Sequence, residues 1–135
     1  MTRISLPPEA FYWAIVDGVG LRRPGPLPPG LRTLAADDIP VDIDTLHAVG
    51  TMSEQGSIVV CALEREQLEA LGPDVVSLTP SAAPPGIEVA LSQLELLAGQ
   101  FEPRSVRRRR TRRHVSLAIV LLLCSVLIAT GLTRR

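Results

Sequence analysis

The sequence predicts a small α/β domain built on a mixed sheet, followed by one C-terminal transmembrane helix. Three observations lead there. Between residues 11 and 80, short β-branched runs alternate with one short helical pattern. An uncharged apolar stretch runs from Val115 to Leu132, and seven arginines stand directly before it. A chain of 135 residues has room for one domain and an anchor. The expected boundaries are 1–86 for the domain, 87–103 for an amphipathic helix, 104–114 for an arginine-rich segment, 115–132 for the span and 133–135 for a tail.

The first element is a strand at FYWAIVD (11–17), a compact aromatic and β-branched run. The proline-rich stretch 22–30 reads as a stiff surface connection, since proline removes backbone donors and fixes φ. IDTLHAVGTM (43–52) alternates loosely and predicts a second strand. SEQG (53–56) turns it back into SIVVCAL (57–63), the best strand in the chain, so the two runs form a hairpin. EREQLEALG (64–72) predicts a short helix: Leu68 and Leu71 share a face, acids lead, and Gly72-Pro73 stops it. DVVSLTP (74–80) is the last strand.

After the break at SAAPPG (81–86), the stretch 87–101 places Ala90, Leu94, Leu97 and Phe101 at steps of 4, 3 and 4 residues. Such spacing predicts one helical stripe, either packed on the sheet or offered to a partner near the membrane.

The span rests on arithmetic. Its 18 residues at ~1.5 Å rise reach ~27 Å, close to the ~30 Å hydrocarbon core of a bilayer. Eleven of them are Val, Ile or Leu, which together favour insertion by about 3 to 6 kcal/mol. Ser116, Ser125 and Thr130 are expected to return their hydroxyls to carbonyls one turn earlier. A buried core helix is disfavoured because the run is apolar on every face and the remaining chain is too small to surround it.

Charge sets the orientation. Residues 1–103 carry 14 acids against five arginines, while Arg104, Arg107, Arg108, Arg109, Arg110, Arg112 and Arg113 carry +7 with no acid among them. Only Arg134 and Arg135 follow the span. Seven positive charges before the span against two after it predict that residues 1–113 stay in the cytoplasm. Membrane lipid is the expected contact of these arginines. An acidic body with few aromatics argues against nucleic acid as the partner. The competing reading keeps a separate role for the run, as a regulator's site for anionic lipid or nucleic acid.

No catalytic, cofactor or metal site is expected. Asp17-Gly18-Val19-Gly20 lacks the Gly-Lys-Ser/Thr of a phosphate loop and the third glycine of a dinucleotide fingerprint, so a tight turn is the reading. Asp37, Asp38, Asp42 and Asp44 have no ligand-loop spacing. His47 reads as a satisfied structural histidine, and Cys61 and Cys124 as small buried residues without a bridge.

LELLAGQFEPRSVRRRR (94–110) followed by an apolar span resembles the membrane junction of the L component of the general (type II) secretion pathway. GSIVVCALEREQLEALGPDVVSLTPSA (56–82) is similar to that family's strand–helix–strand segment. Leu96, Leu97, Gly99, Phe101, Pro103 and Arg104 carry the likeness best. The resemblance implies a fragment of an actin-like cytoplasmic domain, related to the M protein of type IV pilus assembly, on a bacterial inner-membrane anchor. It implies a secretion or pilus ATPase as the cytoplasmic partner. The chain departs from the family in its short soluble part, its lack of nucleotide loops and its stop at Arg135. A reduced or divergent member is therefore expected: a non-catalytic scaffold that has lost periplasmic pairing.

Overall fold

The structure, a computed structural model, describes residues 2–17 and 21–133. The turn expected at Gly18–Gly20 lies outside the described residues, as do Arg134 and Arg135. The chain divides into two compact units, Met1–Pro103 and Arg104–Arg135.

The first unit is a mixed α/β domain with two sheets rather than one mixed sheet. Its strands are β1 (Thr2–Leu6), β2 (Tyr12–Val16), β3 (Gly25–Pro26), β4 (Leu46–Met52), β5 (Ile58–Glu64) and β6 (Val75–Pro80). Helices α1 (Pro29–Ala36) and α2 (Arg65–Glu69) join them. Strands β2-β5-β4-β3 form an antiparallel sheet, and β1 pairs in parallel with β6.

The expected hairpin is the centre of the larger sheet. Ala48 faces Ala62 and Gly50 faces Val60 across the β4–β5 ladder. The turn closes where Ser53 N–H donates to the Ser57 carbonyl at 2.7 Å, and Gly56 takes φ +84°, a conformation that suits glycine.

Alternation along these strands sorts the core into two layers. Ala14, Val16, Leu46, Ala48, Ile58, Val60 and Ala62 lie on one face, under Leu31 and Ala35 of α1. Val49, Cys61 and Leu63 lie on the other, against Leu68 of α2, Leu78 of β6, and Leu94, Leu96 and Leu97. Both central strands are therefore buried on both sides, which explains why their sequence reads as near-continuous apolar runs.

Helix α1 begins at the end of the proline-rich stretch 22–30, read from sequence as a stiff connection, and runs on to Ala36, where no element was expected. Pro29 occupies its first position, where a missing N–H costs nothing, and Pro28 precedes it with φ −61° and ψ 154°. The prolines start a helix here instead of excluding one. Leu31 and Ala35, one turn apart, then supply its buried face.

The helix expected at 87–103 does not form, and the domain runs to Pro103 instead of ending at residue 86. Only two short 3-10 turns interrupt the segment, at Leu91–Gln93 and Gly99–Phe101. Its residues are tied to β6: Leu96 N–H donates to the Leu78 carbonyl at 3.0 Å. The Glu95 carboxylate accepts from Leu78 N–H at 2.7 Å, from Leu97 N–H at 3.1 Å and from the Ser77 hydroxyl. Leu94 and Leu96 are both fully buried, an alternation that a helix cannot place on one side. The stripe Ala90, Leu94, Leu97, Phe101 is accordingly not a partner face: Leu94 and Leu97 are core, Phe101 is half-buried and Ala90 is exposed.

The second unit holds α3 (Arg104–Thr133), one continuous 30-residue helix. Arginine segment and apolar stretch, separate on paper, share a single rod. At ~1.5 Å per residue it extends ~45 Å. Ser125 donates to the Leu121 carbonyl at 2.8 Å and Thr130 to that of Val126 at 2.9 Å, as expected for hydroxyls within an apolar span.

Candidate functional site

Two features of the chain carry chemistry. The first is α3, which is long and apolar enough to cross a membrane. All eleven Val, Ile and Leu side chains of its apolar stretch, from Val115 to Leu132, are exposed. That pattern is the reverse of a soluble protein's core helix. The arginines occupy its first three turns. Arg104, Arg107, Arg108 and Arg112 share a face by their spacing, while Arg109 and Arg113 lie on another. Arg110 falls between, so the cations form a collar rather than a stripe.

The second is a cavity of about 300 Å³ at the open end of the larger sheet. Strand β3 is only two residues long and pairs with β4 at Gly50 and Val49, so the first residues of β4 lie past its end. The backbone groups left there find other partners. Leu27 N–H donates to the Ala48 carbonyl at 3.1 Å and Arg65 Nε–H to that of Leu46 at 3.3 Å. Pro26, Leu27, Leu46 and Ala48 give the cavity its apolar wall, and Arg32, His47, Arg65 and Gln100 its polar one.

Each polar group arrives on a different element. Arg32 comes from α1, where one terminal nitrogen donates to the Ile43 carbonyl at 3.0 Å and lies 3.8 Å from the Asp44 carboxylate. Its Nε is buried without a hydrogen-bond partner among the described residues. Arg65 is the first residue of α2. Gln100 sits in the Gly99–Phe101 turn. Gly99 has φ +64°, and a Cβ there would lie 2.9 Å from the Pro26 ring, so glycine alone lets this turn close over β3.

His47 is 6% exposed, with the Phe101 ring edge-on at 4.7 Å between centroids. It is not the satisfied histidine expected from sequence: Nε2 is buried and has no hydrogen-bond partner among the described residues. Burial pushes its pKa down to about 4, the Arg65 charge and then that of Arg32 add to the effect, and the Leu96 backbone opposes it. The ring is neutral at pH 7.

That shift has a measurable consequence. The unfolded ring takes a proton near pH 6.5, the folded one only near 4. Across this window the unfolded chain binds more protons, so stability falls as pH drops, by an amount on the order of 2–3 kcal/mol. Unfolding of the full chain in micelles, followed from pH 7 to 4, should show this slope. His47→Gln should flatten it, the difference between the two curves isolating the ring from the titrating carboxylates. Parallel curves would assign the acid sensitivity elsewhere.

Other candidates are structural. Cys61 is fully buried, which pushes its thiol pKa up and leaves it unreactive. Asp42 caps the turn at Ile43–Thr45, its carboxylate accepting from Asp44 N–H at 3.0 Å. Among the described residues no group of three or more His, Cys, Asp or Glu converges on a metal position. Sequence reasoning missed the cavity because Arg32, His47, Arg65 and Gln100 belong to no local motif. The only linear hint was a histidine inside an otherwise apolar strand.

No protein-family model matches the chain, and neither does any curated protein or solved structure. What fold and site define is a class: a small α/β domain joined to a helix able to cross a membrane.

Proposed function

We propose that the chain is a non-catalytic, single-pass scaffold of a bacterial inner membrane, with its α/β domain in the cytoplasm. The carrying observation is the arginine collar on the first three turns of α3, directly before an apolar stretch of membrane length. Positive charge collects on the cytoplasmic side of membrane spans, and seven arginines precede this one. The resemblance at residues 94–110 supplies the partner class, a cytoplasmic ATPase of a type II secretion or pilus-like assembly.

Recruitment falls to the open edge of β2. With Leu94 and Leu97 committed to the core, the helical stripe no longer offers itself. Strand β2 ends the order β2-β5-β4-β3, so one side of its backbone faces no strand among the described residues. A strand of the partner can pair there.

Affinity purification of a tagged full chain from native membranes, in mild detergent and high salt, tests the reading. Salt strips ligands held by arginines alone. An assembly ATPase in the eluate is the expected result. An eluate empty at high salt but rich in anionic lipid or nucleic acid at low salt would overturn the scaffold in favour of a regulator acting through its arginines.

A further inference from the structure

We propose that the cavity between α1, the start of β4, α2 and the Gly99–Phe101 turn binds the carboxylate of a small organic monoacid. The proposal concerns the domain alone and is independent of which side of a membrane it occupies.

Charge balance argues for a monoanion. Two guanidiniums line the cavity, and one of them, Arg32, already has the Asp44 carboxylate at 3.8 Å. No carboxylate lines the cavity itself. About one positive charge is thus left over, which matches a carboxylate better than a phosphate dianion. Arg65 uses Nε on Leu46 and no other nitrogen on any described residue, so its terminal pair is available as a fork for two carboxylate oxygens.

Size and lining identify the rest of the ligand. A cavity of about 300 Å³ is at the small end of ligand sites and admits an acid of a few carbons, not a nucleotide. Pro26, Leu27, Leu46 and Ala48 supply the apolar wall that a short hydrocarbon tail covers and a bare inorganic ion does not. Gln100 adds a neutral amide at the rim.

His47 links occupancy to pH. The groups facing it are Arg65 from α2, Arg32 from α1, the Leu96 backbone, Gln100 and Phe101 from the turn, and Leu63 opposite it on β5. Both charged neighbours repel a proton on the ring. A bound carboxylate offsets them. Binding therefore raises the ring's affinity for a proton above its folded value near 4 and couples to proton uptake in the acid range.

The test uses the uniformly isotope-labelled full chain in micelles and follows the His47 ring resonances during titration with acetate, butyrate, succinate and inorganic phosphate. The expected result is a saturable shift with butyrate, weaker with acetate. Arg65→Gln should weaken butyrate about tenfold or more, as loss of a charge-assisted pair requires. Gln100→Leu, at an exposed position, keeps the test decisive should the arginine variant fail to fold, and should lower affinity by a smaller factor. Replacing Arg107–Arg110 with glutamine should leave the shift unchanged, separating this cavity from the collar on α3. No saturable shift, tighter binding of succinate or phosphate than of butyrate, or indifference to both cavity variants would overturn the assignment.

Discussion

Glu95→Ala should destabilise the domain by about 3 kcal/mol or more, although residue 95 is a partly exposed acid. Its carboxylate does the work of a strand. Leu78 N–H at 2.7 Å and Leu97 N–H at 3.1 Å both end on it, with the Ser77 hydroxyl as a third donor. A hydrogen bond to a charged group contributes roughly 1.5 to 3 kcal/mol, and a buried donor left without a partner costs a similar amount. Alanine removes the acceptor and leaves two backbone donors beside β6.

Damage would not stay local. Leu94 and Leu96, the residues flanking Glu95, are fully buried against Leu78 and Cys61 in one cluster. Releasing their backbone frees them from that cluster, and the Leu96–Leu78 hydrogen bond goes with them. Trp13, the single tryptophan, packs against the same cluster and donates Nε1–H to the Pro8 carbonyl, so its fluorescence reports on this core. Denaturant unfolding should show a lower midpoint for Glu95→Ala at similar slope, with Glu95→Gln in between because its amide oxygen still accepts. An unchanged midpoint would mean that water replaces the carboxylate without loss.

Glu95 also shows why part of the fold was legible in the sequence and part was not. The β4–β5 hairpin, α2 and β6 carry their signals locally: alternation, a turn glycine, a Gly-Pro stop. Strand β1 has no such signal. Its partner is β6, some 70 residues away, and the pairing is a property of the assembled core. In α1, the same Pro28-Pro29 that suggests a stiff loop is equally the correct start of a helix, and only Leu31 and Ala35 against the sheet decide between them. At 87–101 the steps of 4, 3 and 4 were genuine but incidental. Leu96 breaks the stripe, and side chain to backbone bonds from Glu95 outweigh the gain of a short helix in an Ala-, Ser- and Gly-containing segment.

The cavity was illegible for a simpler reason. Sequence spacing finds sites built on one helix or loop, and this one is assembled at a sheet corner from four elements. The shortness of β3 creates it, by stopping at Pro26 and leaving Leu46 and His47 at an uncovered strand end. Two residues of strand are too few to anticipate from sequence.

Replacing Arg107–Arg110 with glutamine should randomise the orientation of the full chain in the membrane. Arg104, Arg112 and Arg113 would remain before the apolar stretch against Arg134 and Arg135 after it, so the bias falls from seven against two to three against two. At about 1 kcal/mol for each arginine near an anionic leaflet, roughly 4 kcal/mol of attraction is lost as well. Glutamine keeps helix propensity, so α3 itself should persist. Protease protection of an N-terminal tag in spheroplasts and in inverted vesicles reads the result. Wild type should be cut only in inverted vesicles, and the variant in both. Should the variant keep a single orientation yet lose its partner, the four arginines make a contact of their own and the regulator reading gains. Should wild-type tag be cut in spheroplasts, the cytoplasmic placement fails outright. The collar distinguishes these outcomes because it surrounds the helix: a leaflet meets every face of α3 at once, whereas a single protein or nucleic-acid partner would engage one face and leave Arg109 and Arg113 dispensable.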